Sequence, residues 1–140
     1  MTGVQTCALP ICDLREPETA QRLADAVGDD PLGAVVCAAG LSPHMASSSD
    51  IFSVNLVGTA RVLAAVEPLL RPGTVAVCIA SISGHRIGVR GHDEAMLDPL
   101  REELEQEIAI VEGESWKPGL AYAVSKIGRA SCRERVCLLV

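Results

Sequence analysis

The chemistry open to this sequence is concentrated in a few side chains. Tyr122 is the only tyrosine among 140 residues, and Lys126 follows it at the fourth position. On a helix, residues i and i+4 share one face a turn apart, so phenol and ammonium enter the same space. A free phenol releases its proton near ~10, and a neighbouring cation favours the phenolate. The pair is thereby suited to general acid/base work on an oxygen atom. Ser81 adds a hydroxyl in Ser81-Ile82-Ser83-Gly84, directly after an apolar run, with Ser83 as the alternative. Asn55 lies within apolar sequence, where asparagine is a poor helix former. Each has a plainer use as well: an exposed helix pair, a strand-end cap, an exposed amide.

The elements that must position these residues follow from periodicity. Glu16-Pro17-Glu18 opens a helix with proline and acids in its first turn. Ala20, Leu23, Ala24 and Val27 supply its apolar stripe, and Gly28-Asp29-Asp30-Pro31 ends it. The short apolar runs 33–40 and 74–80 read as buried parallel strands. Between them, after a serine-rich loop in which His44 is solvated, Ser49 or Asp50 is expected to cap a long helix reaching Leu70. Residues 87–92 read as loop. From Glu94 to Glu112, Leu97, Leu100, Leu104, Ile108 and Val111 recur at threes and fours, with Glu102, Glu103, Glu105 and Glu107 on a solvated face. Trp116 reads as packing or a pocket wall. Helices alternating with apolar strands are the pattern of an α/β, doubly wound parallel sheet.

Composition narrows the function. Hydrophobic residues make up 49% and aromatics 2%, a profile suited to a parallel sheet packed by small residues. A net charge of -6 argues against nucleic acid and anionic membrane surfaces as partners. Arg61, Glu67, Arg71 and Pro72 interrupt the greasiest stretch, so no membrane span is expected. The six cysteines (7, 12, 37, 78, 132, 137) form no Cys-x-x-Cys pair and no metal-ligand spacing with His44, His85 or His92. No metal site and a reduced, cytoplasmic setting are expected.

The two ends read as foreign. Residues 1–11 resemble an in-frame translation of a short-read sequencing adapter, and 127–136 resemble the other adapter arm. The expected organisation is a non-native head over 1–12, a biological segment over 13–126 and a non-native tail over 127–140. Removing Arg129, Arg133, Arg135 and Glu134 with the tail takes the net charge from -6 to -8.

Asp13-Leu14, a strand ending in Ala38-Ala39-Gly40, Ser53-Val54-Asn55-Leu56-Val57-Gly58-Thr59, Ser81-x-x-Gly84 and Tyr122-x-x-x-Lys126 occur in one order. That order resembles the short-chain dehydrogenase/reductase family over 13–126. Within it, Cys37-Ala38-Ala39-Gly40-Leu41-Ser42-Pro43 and the 41 positions from Ser81 to Tyr122 look most like the 3α-hydroxysteroid dehydrogenase/carbonyl reductase branch. There the long spacer is a helical insertion associated with subunit contacts.

The resemblance implies a Rossmann-like fold, NAD or NADP as cofactor, a small ketone or secondary alcohol as substrate, and a homo-oligomeric parent. Tyr122 would pass a proton to or from the substrate oxygen, and Lys126 would assist it and hold the nicotinamide ribose. Ser81 would hydrogen-bond the substrate oxygen, and Asn55 would hold a water linking Lys126 to solvent. Asp13 would accept from the adenine amino group with Leu14 beside the ring, and Ala38, Ala39 and Gly40 would admit the cofactor ribose. Ala38 departs from the family's usual asparagine. The glycine-rich loop Thr-Gly-x-x-x-Gly-x-Gly does not occur in these 140 residues, so the chain itself is expected to be inactive. Two alternatives stand beside this: a Rossmann-like binding or sensor domain without chemistry, and a sugar-nucleotide epimerase or dehydratase relative.

Overall fold

The computed structural model describes the backbone of residues 12–29, 31–87 and 95–137, and their side chains except at 86, 87, 95 and 130–137. The adapter-like head up to Ile11, the loop expected through His92, and the last three residues lie outside the described residues. Helix α1 (Glu18–Val27) starts just after Pro17, buries Ala20 and Ala24, and ends at Gly28. Gly28 has φ of +69° and donates its N–H to the Ala24 carbonyl, a left-handed stop that suits glycine.

Two short strands, β1 (Ala34–Cys37) and β2 (Val75–Cys78), pair in parallel, with Ala34 opposite Val75 and Cys37 opposite Cys78. The described residues form a mixed α/β fold on this two-stranded sheet. The expectation of fully buried strands is corrected. Side chains alternate between the faces of a strand. Val35, Cys37, Ala76 and Cys78 pack on the core, whereas Val36 (62% exposed), Val75 and Val77 meet solvent on the other face.

Parallel strands need a long crossover, here one helical run. It comprises α2 (Ser48–Phe52), a π-helical turn over Ser53–Gly58, α3 (Thr59–Val66) and a 3-10 turn over Glu67–Leu69. The cap is Ser47, not Ser49 or Asp50: its hydroxyl accepts the Asp50 N–H at 3.1 Å and donates to the Asp50 carboxylate at 2.7 Å. By length and composition, Ser48–Leu69 is also apolar enough to cross a bilayer, contrary to the sequence reading. Ile51, Phe52, Leu56 and Leu63 are nevertheless buried inside the molecule, as befits a core helix.

Helix α4 (Ile82–Ile87) follows β2. The single helix expected over 94–112 is instead a 3-10 turn at Ala95–Leu97 and helix α5 (Leu104–Glu112). Pro99 separates them, because it offers no N–H and restricts the residue before it. Leu104 and Ile108 are buried while Leu97, Leu100 and Val111 are exposed. The last element is α6 (Pro118–Cys137), which carries Tyr122 and Lys126.

Phe52, Leu56, Leu63, Met96, Leu104, Ile108 and Val124 form the core. Each such side chain contributes about 1.5–3 kcal/mol on full burial. Trp116 packs edge-on against Phe52 with ring centres 5.9 Å apart. Helix α6 approaches the crossover so closely at Gly128 that a Cβ there would lie 2.8 Å from a Leu56 methyl. The segment expected to be foreign thus begins inside the packed core.

Candidate functional site

Lys126 is drawn to the carboxyl end of the sheet. Its ammonium donates to the Ile79 carbonyl, one residue beyond β2, at 3.1 Å, and lies 5.5 Å from the centre of the Tyr122 ring. The one-turn spacing on α6 therefore brings phenol and ammonium together. Lys126 is 6% exposed. Burial, and secondarily the charge of Arg129, push its pKa below the usual lysine value.

Asn55 sits in the π turn of the crossover, fully buried. Such wide turns leave backbone groups displaced from the α-helical pattern and concentrate at functional sites. The Thr59 hydroxyl donates to the Asn55 carbonyl at 3.0 Å. The side-chain amide accepts the Leu41 N–H at 2.7 Å, donates to the Leu41 carbonyl at 3.0 Å, and donates to the Ser125 hydroxyl at 3.3 Å. Asn55 thereby fastens the loop after β1 to α6, next to Lys126.

Gly40 lies at the meeting point. A Cβ on it would fall 2.9 Å from Asn55 Oδ1, 3.5 Å from Lys126 Nζ and 3.6 Å from Arg129 Nη1. Small residues after β1 were expected to admit something close to the backbone. What approaches Gly40 here is the protein's own amide and two cations.

Ser81 occupies the turn between β2 and α4, half-buried, with its hydroxyl accepting the Ser83 N–H at 3.3 Å. Helix α4 packs on α6: a Cβ at Gly84 would come within 2.8 Å of Ile127 Cγ1 and 3.6 Å of the Ala123 carbonyl. Among the described residues no hydrogen bond joins the Ser81 and Tyr122 hydroxyls.

Asp13, Leu14, Ala39 and Gly40 line one cavity of about 580 Å³, together with Arg15 and Asp50. Arg15 clamps both acids, reaching Asp13 at 2.6 Å and Asp50 at 2.9 Å. The Arg15 guanidinium holds the Asp13 carboxyl down to about 2. Ala38 lies apart, in a second cavity of about 170 Å³ that it shares with Leu14, Ala39 and Arg129. The residues assigned to a cofactor thus fall around two adjoining hollows, with Tyr122 and Lys126 beyond Gly40.

Two residues of this cluster escaped the sequence reading. Ser125 is buried, accepts from Asn55 and donates to the Tyr122 carbonyl at 2.8 Å. Arg129 is 1% exposed and donates to the Ala39 carbonyl at 2.7 Å and to Ile79 at 3.4 Å, while its buried Nε finds no partner. The signal for Arg129 was its spacing of three from Lys126, which puts both cations on one face of a helix. Among the described residues no three metal-ligating side chains cluster.

Comparison of the chain with protein-family models, with curated proteins and with solved structures gives no match. Functional assignment therefore rests on the geometry of this site.

Proposed function

We propose that this chain is the central part of an NAD(P)-dependent oxidoreductase of the short-chain dehydrogenase/reductase kind, interconverting a secondary alcohol and its ketone. On this reading the two parallel strands belong to a larger doubly wound, Rossmann-like sheet, and the intact protein works in a reduced cytoplasm as a homo-oligomer. One observation carries the proposal: the Lys126 ammonium beside the Tyr122 ring, anchored at the carboxyl ends of parallel strands, where ligands bind in open α/β sheets. A hydroxysteroid substrate rests on branch resemblance alone.

The residues around the larger cavity fit the adenosine half of a nicotinamide dinucleotide. Leu14 offers an apolar wall, and Ala39 and Gly40 leave the backbone accessible, while Arg15 already engages both carboxylate oxygens of Asp13, so an adenine amino group would share an oxygen with it. Lys126 has three N–H donors and gives one to Ile79, so two remain for ribose hydroxyls. When bound, the nicotinamide would exchange a hydride with the substrate carbon. Tyr122 would donate its phenolic proton to the carbonyl oxygen in reduction and take it back in oxidation. Lys126 would favour the charge that develops on the phenol oxygen, and Ser81 would hold the substrate oxygen in line.

A second reading, a dinucleotide-type binding domain without chemistry, draws on Arg129, which takes up the Ala39 and Ile79 carbonyls at the same strand ends. The deciding experiment uses the full-length parent recovered from flanking gene sequence. Ketone-dependent NAD(P)H oxidation, reduced about 10²–10⁴-fold by Tyr122→Phe, is the expected result. Activity untouched by that change, or no turnover with any ketone, would favour the binding domain.

A further inference from the structure

The two cysteines inside the strands are register partners. Cys37 closes β1 and Cys78 closes β2, and the pairing sets one directly opposite the other. Residues paired in register project to the same face, and here both side chains lie half-buried against the core. Neither is cross-linked. Neighbouring strands run ~4.8 Å apart, inside the window of about 4.4–6.8 Å between Cα atoms that a disulfide tolerates. A disulfide also draws its Cβ atoms to about 3.8 Å, somewhat closer than parallel strands hold them. The strand ends must therefore pinch. Among the described residues the strand pairing continues past Cys37 and Cys78 only through the Ile79 N–H, which bonds the Cys37 carbonyl at 3.1 Å.

We propose that Cys37 and Cys78 are a redox-active dithiol that small-molecule disulfides convert to a reversible cross-strand disulfide. The thiolate of one cysteine attacks a sulfur of oxidised glutathione, forming a mixed disulfide and expelling one glutathione thiolate. The second cysteine yields its proton to that thiolate, attacks the protein-side sulfur and expels the second glutathione. Two protein thiols are oxidised, one small disulfide is reduced to two thiols, and no other reactant is needed. Because the bond holds the strand ends closer than the sheet does, it is strained and readily reduced, which marks a switch and not a permanent staple. It also acts on the site. Ile79, the next residue after Cys78, carries the carbonyl that receives both Lys126 and Arg129. The inference does not depend on the oxidoreductase reading.

The test starts from the full chain with Cys7, Cys12, Cys132 and Cys137 changed to serine, so that only the pair remains. The folded, reduced protein is treated with oxidised glutathione, its remaining thiols are alkylated, and its mass and peptides are mapped. The expected product is a monomer that has lost two hydrogens and both reactive thiols, yields one cross-linked peptide pair, and recovers fully in dithiothreitol. Cys78→Ser in the same background should stop at the mixed disulfide. A stable glutathione adduct on the two-cysteine protein, an intermolecular dimer, or two unreacted thiols would each overturn the proposal. If the four-serine variant does not fold, peptide mapping of the unaltered chain decides by the same criterion, a 37–78 cross-link present or absent.

Discussion

Asn55 grips Leu41 by both of its backbone groups, accepting the N–H at 2.7 Å and donating to the carbonyl at 3.0 Å. The amide thus stands in for a strand neighbour just where the chain leaves β1. Replacing it by alanine leaves both half-buried Leu41 groups without that partner and takes from the buried Ser125 hydroxyl the N–H it accepts, though not its own bond to the Tyr122 carbonyl. Asn55→Ala should therefore destabilise the fold by about 2–4 kcal/mol, read as a lower urea midpoint. Asn55→Asp, which keeps the acceptor and loses the donor, should fall between.

Gly40 is coupled to that amide. Its missing Cβ would stand 2.9 Å from Asn55 Oδ1, which is pinned by Leu41 and cannot retreat. Gly40→Ala alone should cost about 1–3 kcal/mol from overpacking. In the Asn55→Ala background the obstruction is gone, so the same change should cost less by about 1 kcal/mol or more. A double-mutant cycle measures the difference, and additivity would show that the contact is not strained.

Arg129 is a buried cation with no carboxylate partner among the described residues. Burying an uncompensated charge costs several kcal/mol, only partly offset by bonds to two carbonyls. Arg129→Met should raise stability by about 1–3 kcal/mol despite losing those bonds. A lower melting temperature in Arg129→Met would mean that the ties to Ala39 and Ile79 outweigh the charge.

Lys126 gives the protein an alkaline signature. Its folded pKa lies below the ordinary lysine value of 10.5, so between the two values the unfolded chain binds more protons than the folded one. Stability should therefore rise with pH across that window, and the burden of the charge is fully present below it. Denaturant titrations at stepped alkaline pH should show the rise, and Lys126→Met should flatten it.

The acid side belongs to Arg15. Asp13 is held at about 2 against an ordinary aspartate value of 3.8, first by the Arg15 side chain, and Asp50 is lowered by the same partner. The clamp's contribution is complete above the unfolded value and is lost as pH falls through about 2. Proton NMR titration of the Asp13 carboxyl in the wild type and in Arg15→Gln should show its pKa return toward the free value in the variant.

Legibility in the sequence followed local pattern. Helix α1, both strands and the Tyr122–Lys126 face were readable because periodicity and stop signals act within a few residues. The break at Pro99 was equally local, and the stripe of leucines around it masked the proline's missing donor. What could not be read was set by packing at long range. The exposure of Val36 and Val77 depends on which sheet face the helices cover, and a strand's own apolar run does not encode that. Arg129 was hidden for a different reason. It lies in a segment whose sequence reads as foreign, although the helix that carries Lys126 runs on through it.

The widened turn at 53–58 has a consequence for how this stretch can change. It holds one residue more than an uninterrupted α-helix would need, and that surplus sets Asn55 toward Leu41 while Leu63, beyond it, still reaches the core. Deleting one residue there would return the coil to the α-helical pattern with Leu63 and the rest of the downstream face still turned inward, while the wide turn that carries Asn55 is lost. A variant one residue shorter would therefore keep its packing and give up the grip on Leu41.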